Sequence, residues 1–228
     1  MNKIFSKKDY VVICISWALF GIITALMLNG KLEGFDLAVQ KFFFGFRNDA
    51  LTKIVAPFSY TGNWPLPTVI CAILLAFKKT RTTYGVPMSI TALSCVAIYE
   101  TLKHVFERPR PDISLHLVVQ GGWSFPSGHS LTSLVTWTML IWLLIYYYKT
   151  NGKSLPLYQK HPQKCEIYPK KKGVLIAWIV FLGLYIVCMG LSRIYVGVHW
   201  PTDVLGSWVL GISVLVILRG VFFNERKS

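Results

Sequence analysis

Residues 173–220 read GVLIAWIVFLGLYIVCMGLSRIYVGVHWPTDVLGSWVLGISVLVILRG. Two apolar runs, each of about 20 residues and therefore long enough to cross a hydrocarbon layer about 30 Å thick, flank a short polar insert. That insert carries Ser192-Arg193, then His199 and Asp203. Charged groups at membrane depth cost about 3 kcal/mol each unless something pairs with them, so their presence here points to a site. The pattern recurs upstream. Lys103 and Arg110-Pro111 stand where the apolar run 84–106 ends, and Pro126-Ser127-Gly128-His129 opens the run 129–148.

The rest of the chain fits that frame. Its 228 residues are 54% hydrophobic and only 15% charged, with a mean hydropathy of +0.49. This is far more apolar than an ordinary soluble domain. Six apolar stretches, at about 10–29, 58–78, 84–106, 129–148, 173–192 and 201–222, predict an all-α, polytopic bundle of six transmembrane helices. No internal repeat appears, so residues 1–228 are read as one membrane-embedded domain. The basic start Met1–Lys8 followed by an apolar run resembles a signal peptide. However, the run Val11–Leu28 is longer than a signal core, and Leu26-Met27-Leu28-Asn29 offers no small-residue cleavage pattern, so the segment is expected to remain as an anchor.

Between the first two spans, Gly30–Lys53 mixes apolar and charged residues and predicts an amphipathic segment lying in the interface. Phe42, Phe43, Phe44 and Phe46 there serve either as ordinary anchors or as the lining of a lipid's approach to the site. The stretch Tyr148–Lys172, with Asn151-Gly152, two prolines and many lysines, predicts an irregular polar loop. Four cysteines (Cys14, Cys71, Cys95, Cys188) lie within spans and Cys165 stands in that loop, which predicts no structural disulfide. His161 and Cys165 lack a second pair of ligands, so no metal site is expected there.

The net charge of +14 is distributed unevenly. Sixteen of the 24 Lys and Arg residues fall at the two termini, the Lys78–Arg81 turn and the Lys149–Lys172 loop. By the positive-inside rule those segments, and both termini, are cytoplasmic. The basic excess is thus a topology signal, and nucleic acid is not an expected partner. With six spans and the amino terminus inside, all three polar clusters fall on the outer face.

Their chemistry suits an anion. Ser127 and Gly128 stand where a loop becomes a helix, offering free backbone N–H groups, a capping hydroxyl and close backbone approach, with His129 on the first turn. Asp203 follows His199 by about one helical turn, with Pro201 placed to start the helix. There the carboxylate can fix one ring nitrogen and leave the other free to attack. Lys103, Arg110 and Arg193 supply positive charge, the two arginines through paired N–H groups. Glu100, Glu107 and Arg108 are left outside this set, Glu100 as a pairing partner for Lys103 three residues on.

These residues resemble the type 2 phosphatidic acid phosphatase superfamily. Lys103, six intervening residues and Arg110-Pro111 look like its first signature; Pro126-Ser127-Gly128-His129 its second; Ser192-Arg193, five residues, His199, three residues and Asp203 its third. The resemblance implies a membrane lipid phosphatase that needs no metal or other cofactor and works through a phosphohistidine. On that pattern His199 is the nucleophile, Asp203 orients it, and His129 is the acid. Lys103, Arg110, Ser127, Gly128 and Arg193 would bind the phosphate.

The family's substrates include phosphatidic acid, phosphatidylglycerol phosphate and polyprenyl diphosphates. A small six-span form in the plasma membrane with an outward site suggests undecaprenyl diphosphate first and phosphatidylglycerol phosphate or phosphatidic acid as alternatives. The expected partners are the lipid substrate and the bilayer, with no obligatory protein partner. A transporter or binding protein for an anionic lipid is the reading from a different class. The absence of an inverted repeat counts against it.

Overall fold

The computed structural model describes residues 5–158 and 162–224. His161 lies outside the described residues. The described residues fold as eight α-helices: α1 (Lys7–Leu28), α2 (Glu33–Phe44), α3 (Asp49–Tyr60), α4 (Pro65–Ala76), α5 (Lys78–Phe106), α6 (Gly128–Thr150), α7 (Lys172–Tyr195) and α8 (Pro201–Phe223). The described residues contain no strand. Five of these helices, α1 and α5 to α8, are long and apolar enough to cross a membrane.

Of the stretch 58–78 expected as one span, the structure forms the apolar helix α4 at Pro65–Ala76. α4 has only 12 residues, about 18 Å of helix against about 30 Å of hydrocarbon. The apolar run that suggested a single span is cut by a turn at 61–64. Pro65 then opens α4 at a position where its missing N–H costs nothing, whereas it would interrupt any helix continuing from α3. The six-span count therefore stands as five long helices and one short apolar one. The segment expected at the interface contains two helices, α2 and the start of α3, and the described residues between Thr150 and Lys172 are irregular apart from a short 3-10 turn at Pro156–Tyr158.

α6 sits at the centre, packed on α5, α7 and α8, while α1 lies against α8. Close approach depends on small residues, as it does where lipid supplies no hydrophobic drive between helices. A Cβ on Gly211 would stand 2.7 Å from Leu134 on α6, and one on Gly206 would stand 2.7 Å from Phe125. Phe125 is fully buried and stacks on Phe20 of α1 with ring centroids 5.6 Å apart. This seats the loop leading into α6 against α1 and α8.

The two ends of the bundle differ in chemistry. At one end Asp9 of α1 pairs with Arg219 of α8, Lys79 bonds Glu166 at 2.9 Å, and Tyr84 donates to the Ile167 carbonyl at 2.7 Å. Cys165 is packed beneath this loop, 1% exposed. The other end gathers the close of α5, the start of α6, the close of α7 and the start of α8, which are the places where the three polar clusters lie. α2 is bound to that end by its polar face: Asp36 and Gln40, one turn apart, are both buried, while Phe42 is 63% exposed. Arg47 continues the docking by donating to the Tyr195 carbonyl at 2.9 Å.

Candidate active site

His199 stands in the five-residue link between α7 and α8, almost wholly buried. Its Nδ1 lies 3.2 Å from Oδ2 of Asp203, which α8 holds in its first turn. The same carboxylate oxygen accepts the Trp200 backbone N–H at 2.8 Å, so Asp203 caps its own helix while gripping the imidazole. Pro201 opens α8, as expected.

Arg110 faces the opposite edge of the ring, its NH1 3.1 Å from Nε2. A guanidinium only donates, so Nε2 carries the lone pair and Nδ1 carries the proton directed to Asp203. Burial, followed by the positive charges of Arg110, Arg193 and Lys103, holds the His199 imidazole well below its usual range. The result is a neutral imidazole with a directed lone pair.

Arg110 itself is fixed by backbone oxygens. It donates to Val198 at 2.6 Å, Gly122 at 2.9 Å and Trp123 at 3.0 Å, which ties the 107–127 loop over the α7–α8 link. Arg193, 1% exposed, bonds the Ser59 hydroxyl and donates to Gln120 Oε1 at 2.6 Å. Its Nε has no hydrogen-bond partner among the described residues.

Ser127 is the N-cap of α6, its hydroxyl accepting from the Ser130 N–H at 3.4 Å and the Ser130 hydroxyl at 2.9 Å. His129, on the first turn of α6, bonds Asn63 Oδ1 through Nε2 at 2.7 Å. Ser192 donates to the Met189 carbonyl at 2.7 Å and is spent within its own helix.

A cavity of about 500 Å³ opens between α4, α5 and α6. Lys103, Gly128, His129 and His199 line its polar end, joined by Asn63 and Gln120. Pro67, Cys71, Ala72, Leu75, Leu93 and Val96 give much of the rest an apolar lining. Arg110, Arg193, Ser127 and Asp203 stand behind this wall. The three sequence clusters therefore do meet, in two tiers. None of Phe42, Phe43, Phe44 or Phe46 lines this cavity; Phe43 and Phe46 instead border an apolar groove against α3 and α7. The lipid-approach reading of those phenylalanines thus gains no support here.

Further polar residues join the site. Arg108, set aside in the sequence, bridges Asp36 of α2 at 2.6 Å and Asp203 of α8 at 2.5 Å. Asp36 also accepts the Thr202 N–H at 2.9 Å and the Thr202 hydroxyl at 2.7 Å. Asn63 and Ser59 reach His129 and Arg193 from the end of α3 and the turn that follows. Glu100 lines the cavity, and no ion pair joins it to Lys103 among the described residues. A signal for Asp36 was present: Asp36 and Gln40 stand four residues apart, on one face of an amphipathic helix.

Residues 84–227 match the model of the PAP2 superfamily, which spans all three clusters. The chain belongs to the PAP2 superfamily. It is 29% identical over 211 residues to phosphatidylglycerophosphatase B of Bacillus subtilis (strain 168), covering 91% of this chain and 92% of that one. It is 25% identical over 211 residues to an undecaprenyl-diphosphatase of Sulfolobus acidocaldarius, covering 90% and 87%. Among solved structures it resembles the PAP2-type phosphatidylglycerolphosphate phosphatase of Bacillus subtilis, with a TM-score of 0.69 and 26% identity over 91% of this chain and 94% of the other. This PAP2 chain is thus a multi-pass membrane protein of phosphatase class, and what it hydrolyses is a lipid phosphate.

Proposed function

We propose that this PAP2 phosphatase hydrolyses a lipid phosphate or diphosphate at the outer face of the plasma membrane, without a metal, through a phosphohistidine on His199. The observation that carries the reading is the His199 imidazole, proton-tied to Asp203 and lone-pair-tied to Arg110, on the wall of a cavity that also holds His129 and Lys103. The outward orientation rests on the positive-inside rule, and the described basic residues Lys7, Lys8, Lys78, Lys79, Arg81 and Arg219 lie at the end of the bundle opposite the site.

In the first half-reaction the Nε2 lone pair attacks phosphorus while the bond to the leaving oxygen breaks. Asp203 stabilises the positive charge that develops on the ring, and His129 gives its proton to the departing oxygen. Arg110 moves its NH1 from Nε2 to a phosphoryl oxygen as the lone pair is used. Lys103, Arg193 and the backbone N–H groups at the start of α6, with Ser127 and Gly128 shaping that turn, share the remaining negative charge. In the second half-reaction His129 takes a proton from water as water attacks phosphorus, and the N–P electron pair returns to His199. Inorganic phosphate leaves.

The apolar length of the cavity suits a lipid tail. Undecaprenyl diphosphate is the first reading, because that carrier is released at the outer leaflet. Phosphatidylglycerol phosphate is the second, favoured by the names of the Bacillus relative and of the solved structure. Purified protein in mixed micelles with a metal chelator is expected to release phosphate from lipid phosphates, and kcat/KM across undecaprenyl diphosphate, phosphatidylglycerol phosphate and phosphatidic acid ranks them. Lipid movement without phosphate release would replace the enzyme reading with the transporter one.

A further inference from the structure

Two histidines face the cavity and are held by different partners. His199 is tied to a carboxylate, whereas His129 is tied to the amide of Asn63, whose Oδ1 lies 2.7 Å from Nε2. An amide oxygen only accepts, so Nε2 of His129 carries a hydrogen in both the neutral and the cationic ring. No described group bonds its Nδ1. Proton exchange is thereby confined to Nδ1.

The difference suits the two tasks. A carboxylate stabilises a cationic imidazole and favours the nucleophile, which becomes positive when phosphorylated. A group that acts first as acid and then as base must pass easily between both forms, and a neutral amide fixes the ring without favouring the charged one. The charged and titratable groups around His129 are Lys103 from α5, Arg193 from α7, and Arg110 and His199 from the two loops, with Glu100 of α5 lining the same cavity.

The turn that carries Asn63 is built to hold that geometry. Thr61 bonds the Tyr185 hydroxyl at 2.9 Å, and Phe58 packs edge-on against Tyr185 at 5.3 Å, pinning the turn to α7. Ser59, one turn earlier, bonds Arg193. At Gly62 any Cβ would stand 2.7 Å from Cδ2 of His129, so the backbone lies directly against the imidazole. This segment precedes residues 84–227, the part matched by the family model.

We propose that Asn63 is a positioning residue for proton transfer, clamping Nε2 of His129 so that Nδ1 faces the leaving oxygen and later the attacking water. The proposal rests on the phosphohistidine reading above. Its mark is dependence on the leaving group. p-Nitrophenolate departs without a proton, an alkoxide does not.

Rapid-quench kinetics on the full-length protein in detergent test it. Asn63→Ala is expected to keep the p-nitrophenol burst within about threefold of wild type while slowing subsequent turnover about 10- to 100-fold, so that acid-labile phosphoenzyme accumulates. Turnover of an alkyl lipid phosphate is expected to fall by a similar factor with no burst. Asn63→Asp, of equal size, carries the comparison if the alanine variant aggregates. Its carboxylate favours the cationic ring, so the neutral base appears only at higher pH and the pH dependence of dephosphorylation moves up by about one unit or more. Equal slowing of burst and turnover, or no effect on either together with an unmoved pH profile, overturns the proposal. A wild-type protein that forms no phosphoenzyme overturns the functional reading instead.

Discussion

Arg108 joins Asp36 to Asp203, its two guanidinium nitrogens lying 2.6 Å and 2.5 Å from their carboxylates. One cation thus ties α2 to the carboxylate that holds His199. Both aspartates are buried and the arginine nearly so, which makes the bridge costly to break from one side only.

Arg108→Leu leaves two buried carboxylates without their cation. The expected loss is about 3–5 kcal/mol of stability, the range for removing one partner of a buried ion pair. Asp36→Asn keeps an acceptor for the Thr202 N–H and leaves Arg108 its bond to Asp203, so its loss is expected to be smaller, about 1–3 kcal/mol. Thermal unfolding in detergent measures both. Equal stability of Arg108→Leu and wild type would show that the bridge holds nothing.

The pH dependence follows from His199. Its folded value is held below the unfolded value of about 6.5, mainly by burial. Below that pH the unfolded chain takes up a proton that the folded chain resists, so stability falls as pH drops through about 6.5 and downward. His199→Gln is expected to flatten this slope, read from unfolding midpoints between pH 7 and pH 5. The acid limb of kcat/KM that reports His199 is expected well below pH 6.5, because the nucleophile stays neutral there.

Much of the site was legible because its chemistry requires particular residue types close together in the chain. Lys103 with Arg110, Ser127 with His129, and His199 with Asp203 each fall within spacings that one loop or one helical turn can hold. Asp36 and Asn63 act across 72 and 66 residues, on Arg108 and His129 respectively. Such partners become visible only when α2 and the α3–α4 turn fold back onto the bundle. Arg108 was passed over because a charge beside an interface is ordinarily solvated, and only α2 removes it from water. The bounds of the 58–78 stretch differ for a related reason: summed hydropathy runs through Thr61-Gly62-Asn63, whereas α3 ends at Tyr60 and the turn that follows sets Asn63 on His129.

Sidedness is open to direct measurement. Cys165 is buried beneath its loop and makes a poor reporter. Ile113, 81% exposed at the site end, and Lys153, exposed in the opposite loop, serve instead as single cysteines in a chain whose native cysteines are replaced by serine or alanine. In intact cells an impermeant thiol reagent is expected to label Ile113→Cys and to reach Lys153→Cys only after permeabilisation. The reverse pattern would put the site on the cytoplasmic face.

The covalent step on His199 is tested most directly by trapping it. Protein mixed with a lipid phosphate carrying labelled phosphorus, quenched in alkali and digested, is expected to yield one labelled peptide containing His199, stable in base and lost in acid. His199→Ala is expected to give no label and at least a thousandfold lower turnover, on the order of the loss of an essential nucleophile. Phosphate release by His199→Ala at the wild-type rate, or label on another residue, would contradict the account.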